Sequence, residues 1–196
     1  MPKARKSFYV PIDQAAACSV AFILLLLYLS MARPKSAEPI EINMPTTTGA
    51  TCNIDGFGEA LVLVGQDKVY LQISDTLRKQ TLLHIGEEKN IRFSPADLER
   101  FKKTAFIGMP VLAYKQEINA HNQPGLSLNK HNNELATWID AANIVQRSIY
   151  KRRMRISIKA DKDVNYTLIK SIISTLQDQN INKFSFITAT KIRKDE

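Results

Sequence analysis

The side chains in this chain that could do acid–base, nucleophilic or metal chemistry are few, and their spacing does not suit it. His84, His121 and His131 are scattered, with no His-Glu-x-x-His arrangement that would put two imidazoles on one helix face. His121 and His131 fall in a polar, loop-like stretch, where a solvated histidine is the better reading. There is no Gly-x-Ser-x-Gly elbow and no glycine-rich phosphate loop, and "DGFG" at residues 55–58 lacks the flanking strand and helix that a dinucleotide site needs. Asp161 and Asp163 stand close enough to suggest a cation site. Their place between a strand and a helix favours turn and cap duty instead. Cys18 lies inside an apolar run and Cys52 far outside it, so an intrachain disulfide is not expected and the thiols do not report the compartment. The residues therefore point away from an enzyme, and neither a cofactor nor a metal is expected.

Charge narrows the class further. The 196 residues carry 27 Lys and Arg against 19 Asp and Glu, a net charge of +8. Such a balance fits a basic surface, or partners such as nucleic acid, anionic lipid or a wall polymer. Zinc spacing, RNP-like aromatics and a basic helix with heptads are all missing, so nucleic acid is not expected. "YKRRMR" at 150–155 reads as a solvated linker or strand edge, with contact to lipid headgroups or to peptidoglycan as the alternative.

The elements follow from pattern. The run from Ala15 to Ala32 has no charge and spans roughly 27 Å as a helix, slightly short of the ~30 Å hydrocarbon core. Starting the helix at Pro11 removes the shortfall, since proline suits a first turn. Asp13 then sits in that turn, where the helix dipole favours a carboxylate. A basic start (Lys3, Arg5, Lys6) and "SMA" at 30–32 also resemble a signal peptide. The length of the apolar run and the intrusion of Pro11 and Asp13 favour a retained anchor. Lys3, Arg5 and Lys6 outnumber Arg33 and Lys35, which weakly places the N-terminus in the cytoplasm and the C-terminal domain outside.

Residues 33–58 read as a proline-rich tether. Within it "EPIEINMP" alternates, with Ile40, Ile42 and Met44 on one side and Glu41 and Asn43 on the other. That is a strand-like segment able to add to a sheet edge, or an extended linker that docks nowhere. A globular domain is expected over 59–196. "EALVLVG" and "KVYLQIS" read as a hairpin, and "SPADLERFKKT" as a helix capped by Ser94 with Pro95 in its first turn. Residues 117–133 read as a surface loop. In "NELATWIDAANIVQRSIYKR", Leu135, Trp138, Ile139, Ala142, Val145 and Ile149 recur at helical spacing and are expected to pack inward.

The last third is the clearest. "MRISIKA" alternates as a strand, Asn165 can cap a helix, and Leu168, Ile169, Ile172, Ile173 and Leu176 form an apolar stripe. Asn180 can take the left-handed conformation that ends the helix, and "KFSFIT" gives a second strand. Strand, helix and strand make a βαβ unit with parallel strands. The fold class expected is α+β: a single N-terminal transmembrane helix over 11–32 after a short cytoplasmic stretch (1–10), a tether, and a small α/β domain ending in that unit.

This combination resembles the ExbD/TolR family of biopolymer-transport proteins. "ISIKADKDVNYTLIKSIISTLQDQNINKFSFIT" is similar to the family's C-terminal signature, which falls here on Ala160, Asp161, Lys162 and Tyr166. "IDQAAACSVAFILLLLYL" followed by "EPIEINMPTTT" is similar to its membrane helix and the strand-like peptide after it. The middle, about 75–150, is longer than in compact members and reads as an insert. The resemblance implies a dimer of this chain, or of this chain with an ExbD-like paralogue, inside the pore of a pentameric ExbB-like or TolQ-like partner in the bacterial inner membrane. It implies a periplasmic domain, and force drawn from the proton gradient and passed through a TonB-like or TolA-like protein. A scaffold or wall-binding protein without energy transduction is the competing class.

One position departs from the family. Its membrane helix carries an aspartate near the start, the expected proton carrier, and "CSVAF" puts Ser19 at that place. A serine hydroxyl does not ionise at accessible pH. It can hydrogen-bond, for example to a carbonyl one turn earlier, but it cannot store a proton. Asp13, six residues away, lies off that face and about 9 Å along the axis, and reads as a charge at the helix mouth. Cys18 and Ser30 are the candidate pore-facing residues. The expectation is a proton-silent subunit paired with a paralogue that keeps the aspartate, with a complex that has lost proton coupling and serves as a tether or regulator as the alternative.

Overall fold

In a computed structural model, residues 14–31, 38–48, 59–115, 123–129 and 132–190 are described. The chain divides into two compact units, Met1–Ala37 and Glu38–Glu196.

The first unit contains helix α1, Gln14–Met31. Its 18 residues give about 27 Å of rise, and none of them is buried against protein. Among the described residues it is the one helix long and apolar enough to cross a bilayer.

The second unit opens with Glu38–Thr48, residues that the sequence pattern assigned to the tether, and a two-residue strand β1, Thr46–Thr47. β2 (Glu59–Gly65) and β3 (Lys68–Ile73) form an antiparallel hairpin in which Val62 faces Leu71. Its turn is Gln66-Asp67, and both residues have positive φ (51° and 56°). That is the twist a two-residue hairpin loop demands.

Helices follow over the stretch whose fold the sequence left open. α2 (Asp75–Glu88) has no apolar periodicity to advertise it. It places Arg78 in the interior, where Nη2 donates to the Ile73 carbonyl at 3.0 Å and Nη1 to the Lys102 carbonyl at 3.1 Å, beside Asp75. α3 (Pro95–Lys103) begins with a complete capping box between Ser94 and Asp97. A 3-10 turn covers Val111–Lys115, and Leu128–Asn129 (β4) pairs with Asn132–Asn133 (β5). α4 runs from Glu134 to Tyr150. Leu135, Trp138, Ile139, Ala142 and Val145 are buried as expected, but Ile149 is 39% exposed because the last turn of α4 overruns the core. Nor is the stretch around 123–129 merely surface. Leu126 is buried, and its N–H donates to the Val69 carbonyl at 2.7 Å, so it covers part of the β3 edge.

β6 (Arg155–Ala160), α5 (Tyr166–Asp178) and β7 (Phe184–Ile187) form the βαβ unit, with β6 and β7 parallel. Asn165 caps α5, and Asn180 ends it at φ 58°. β8 (Ala189–Thr190) pairs in parallel with β1. The main sheet has the order β3-β2-β6-β7, with β2 parallel to β6.

The two faces of this sheet differ. Val62, Val64, Leu71, Ile73, Ile156 and Ile158 belong to the main core, together with Phe101, Trp138 and Leu176 of the helices. Leu63 and Tyr70 point the other way and bury themselves against Ile40 and Phe106. Because β2 is covered on both faces, it reads as the unbroken apolar run "ALVLV" rather than as an alternation.

Candidate functional site

The end of β6 and the segment Glu38–Thr48 build one site from two distant parts of the chain. Ile40 is 6% exposed and sits over Leu63 and Tyr70. Glu41 and Asn43 are exposed, while Ile42 and Met44 are half-buried, so the alternation read from "EPIEINMP" is an alternation of burial. Gly65 makes room for the segment: a Cβ there would lie 3.0 Å from Ile40 Cδ1.

Polar contacts fix the segment at Glu38 and at Asn43. The Glu38 carboxylate accepts from Lys159 Nζ at 2.5 and 2.6 Å, with both side chains mostly withdrawn from solvent. Five residues on, Asn43 N–H donates to Asp161 Oδ2 at 3.2 Å, and the Lys162 N–H donates to the Asn43 carbonyl at 2.9 Å. Beyond that the Ala189 N–H donates to the Pro45 carbonyl, and Thr46 and Thr47 align with Ala189 and Thr190. The segment therefore crosses the face of the sheet and only then adopts strand pairing, on β8. The sequence left open whether the segment adds to a sheet edge or docks nowhere. Ile40 instead finds more apolar surface on the face than an edge could offer.

Asp161 is the hub. Its Oδ1 accepts from the Asp163 N–H at 3.1 Å and its Oδ2 from Asn43. Those N–H groups, Asp163 first, hold its carboxyl below the ordinary carboxylate value. This is turn and docking chemistry, with Asp163 contributing its backbone. Lys162 likewise acts through its amide, and its side chain is exposed. Tyr166, in the first turn of α5, is 75% exposed and lies outside these contacts. Among the described residues no cluster of His, Cys, Asp or Glu could hold a metal ion.

Glu38, Lys159 and Gly65 were not singled out by the sequence pattern. The signal available was the acid preceding an alternating segment and the lone lysine inside "RISIKA", but nothing in either stretch names the other.

In the first unit, Ser19 Oγ donates to the Ala15 carbonyl at 2.9 Å, one turn back. Ser19 and Ser30 are eleven residues apart, about 20° around the axis, so they share a face, and Cys18 lies about 100° from Ser19. Cys18 is a free thiol. The helix holds no carboxylate between Gln14 and Met31. Asp13, Cys52, His121 and His131 lie outside the described residues.

An apolar helix long enough to cross a bilayer is followed by an α/β unit whose leading segment docks on its own sheet, the layout of a single-span protein with one folded domain. The family model described as "Biopolymer transport protein ExbD/TolR" matches residues 5–191. The chain belongs to the ExbD/TolR family, whose members are transport and motor subunits and not enzymes. No curated protein and no solved structure matches it.

Proposed function

We propose that this chain is the proton-silent ExbD-like subunit of an inner-membrane complex driven by the proton gradient, paired with a paralogue that carries the membrane aspartate. The carrying observation is Ser19. Its place in "CSVAF" corresponds, by resemblance, to the family's membrane aspartate, its hydroxyl is satisfied by the Ala15 carbonyl, and no carboxylate lies between Gln14 and Met31. Moving a proton needs a group whose charge can change within the membrane, and an alcohol does not supply one. The ExbB-like pentamer, the TonB-like effector, the cytoplasmic N-terminus and the periplasmic domain belong to this reading, supported by the family assignment.

The test is composition. The complex, extracted in mild detergent from its native membrane, is weighed intact and every ExbD-like chain in it identified. One copy of this chain beside one aspartate-bearing chain is expected. A pore holding only this chain, in a complex that still runs on a pH difference, would refute the proposal.

A further inference from the structure

At the other end of β6 from the docked segment, the C-terminal end of α4 and the turn between α5 and β7 enclose a cleft of about 550 Å³, continuous in its lining with a second of about 480 Å³. Arg147 and Arg153 line both, and Arg155 and Lys183 line the second. The four come from separate places: the last turn of α4, the loop after it, the first residue of β6 and the loop before β7. None makes an ion pair with another described residue. One acid, Asp140, faces them in the first cleft.

We propose that this cleft binds a phosphate group. Arg147 is favourably placed near the negative end of α4, but the other three lie outside any helix, so the helix dipole does not account for them. Converging like charges in a concavity repel one another unless an anion is present, and they focus the local field. A carboxylate offers two oxygens, enough for one guanidinium fork. Three guanidinium groups and an ammonium suit a centre with three terminal oxygens and a charge approaching −2, which is a phosphate monoester. The amides of Asn143 and Gln179 add polar lining beside the cations. The phosphate belongs either to a soluble monoester or to a lipid whose headgroup is itself a phosphate monoester.

The experiment uses the full chain in phosphatidylcholine nanodiscs and follows the amide resonances of Asn180 and Asn182. Inorganic phosphate and glycerol phosphate are titrated at constant ionic strength against chloride. Saturable shifts are expected, with the midpoint moved about tenfold or more in the double variant Arg147→Gln/Arg153→Gln, the loss of charge-assisted hydrogen bonds. Arg153→Lys keeps the charge, removes the fork and should weaken binding less, which covers the case of a misfolded double variant. If the same resonances shift when phosphatidic acid, a lipid phosphate monoester, replaces part of the bilayer without added phosphate, the site is a phosphate site fed by lipid. No saturable shift with any probe overturns the proposal. So does an equal loss in Lys79→Gln/Lys89→Gln, at exposed positions on α2 and at its C-cap, which would mark a response to net charge alone.

Discussion

Asn43 donates its backbone N–H to the Asp161 carboxylate at 3.2 Å across 118 residues of chain. That bond joins the segment leading out of the membrane unit to the turn that ends β6. Asp161→Ala removes the acceptor for both Asn43 and Asp163. The expected outcome is local: hydrogen exchange accelerates at Asn43 and Ala189, while Leu71, bonded to Ile107 inside the domain, keeps its protection. Uniform acceleration across the sheet would show that Asp161 supports the whole fold instead.

The same carboxylate makes docking depend on pH. Its value in the folded state lies below the ordinary 3.8, chiefly through the Asp163 and Asn43 N–H groups. A depressed acid contributes stability that is full above the ordinary value and lost as pH falls through the folded one. The segment should therefore stay docked at neutral pH and loosen in acid, below pH 3.8. Exchange at Asn43 measured at descending pH, corrected for intrinsic rates, checks the direction. Asp161→Asn should flatten that dependence.

Where local pattern and tertiary role coincide, the sequence was enough. Ser94 and Asp97 cap α3, Asn165 caps α5, and Asn180 turns the chain at φ 58°, each through contacts made within a few residues. The β6–α5–β7 unit was legible for the same reason. α2 was not, because "DTLRKQTLLHIGEE" carries a buried arginine and a buried threonine on its inward face and so hides its period. Residues 123–129 misled by composition: Leu126 is buried because it closes the β3 edge, and Gln123 because it bonds the Tyr70 hydroxyl and the Phe106 carbonyl, needs set by the sheet. For the docked segment the alternation was visible, but its target was not. Glu38 meets Lys159 across 121 residues, a pairing no single window contains.

Ile40 supplies the apolar part of docking. A buried isoleucine cut to alanine costs about 2–5 kcal/mol where the surroundings cannot relax. Here the segment can detach, which caps the loss at its docking free energy, so Ile40→Ala should cost near the lower end, about 2 kcal/mol. Limited proteolysis should cut first between 38 and 48 in that variant. Ile42→Ala, at a half-buried position, should cost less. Equal effects from the two would rule out the packing assignment.

Trp138 is the largest fully buried side chain, stacked on Phe101 at 5.6 Å and edge-on to Tyr114 at 5.8 Å. Trp138→Ala should lower unfolding stability by about 3–5 kcal/mol. Trp138→Phe should recover much of it, because Trp138 Nε1 has no hydrogen-bond partner to lose. Urea melts of the three proteins decide. A Phe variant as unstable as the Ala variant would mean that indole shape, and not aromatic burial, holds the cluster.

Ser19→Ala discriminates among roles for the membrane helix. The hydroxyl already bonds to its own helix at Ala15, so its removal leaves no partner stranded. Alanine is also the better helix former by a few tenths of a kcal/mol, roughly. A proton-silent subunit should therefore tolerate the change, with proton flux in reconstituted complexes unaltered within error. Ser19→Asp is the sharper probe. It places in the low-dielectric span a group that can take up and release a proton, which the hydroxyl cannot. In a heterodimer it creates a second titratable site beside the paralogue's, so flux should change its pH dependence while still requiring the paralogue's aspartate. If flux vanishes with Ser19→Ala, the hydroxyl itself takes part in the proton path, and the silent assignment fails at the residue on which it rests.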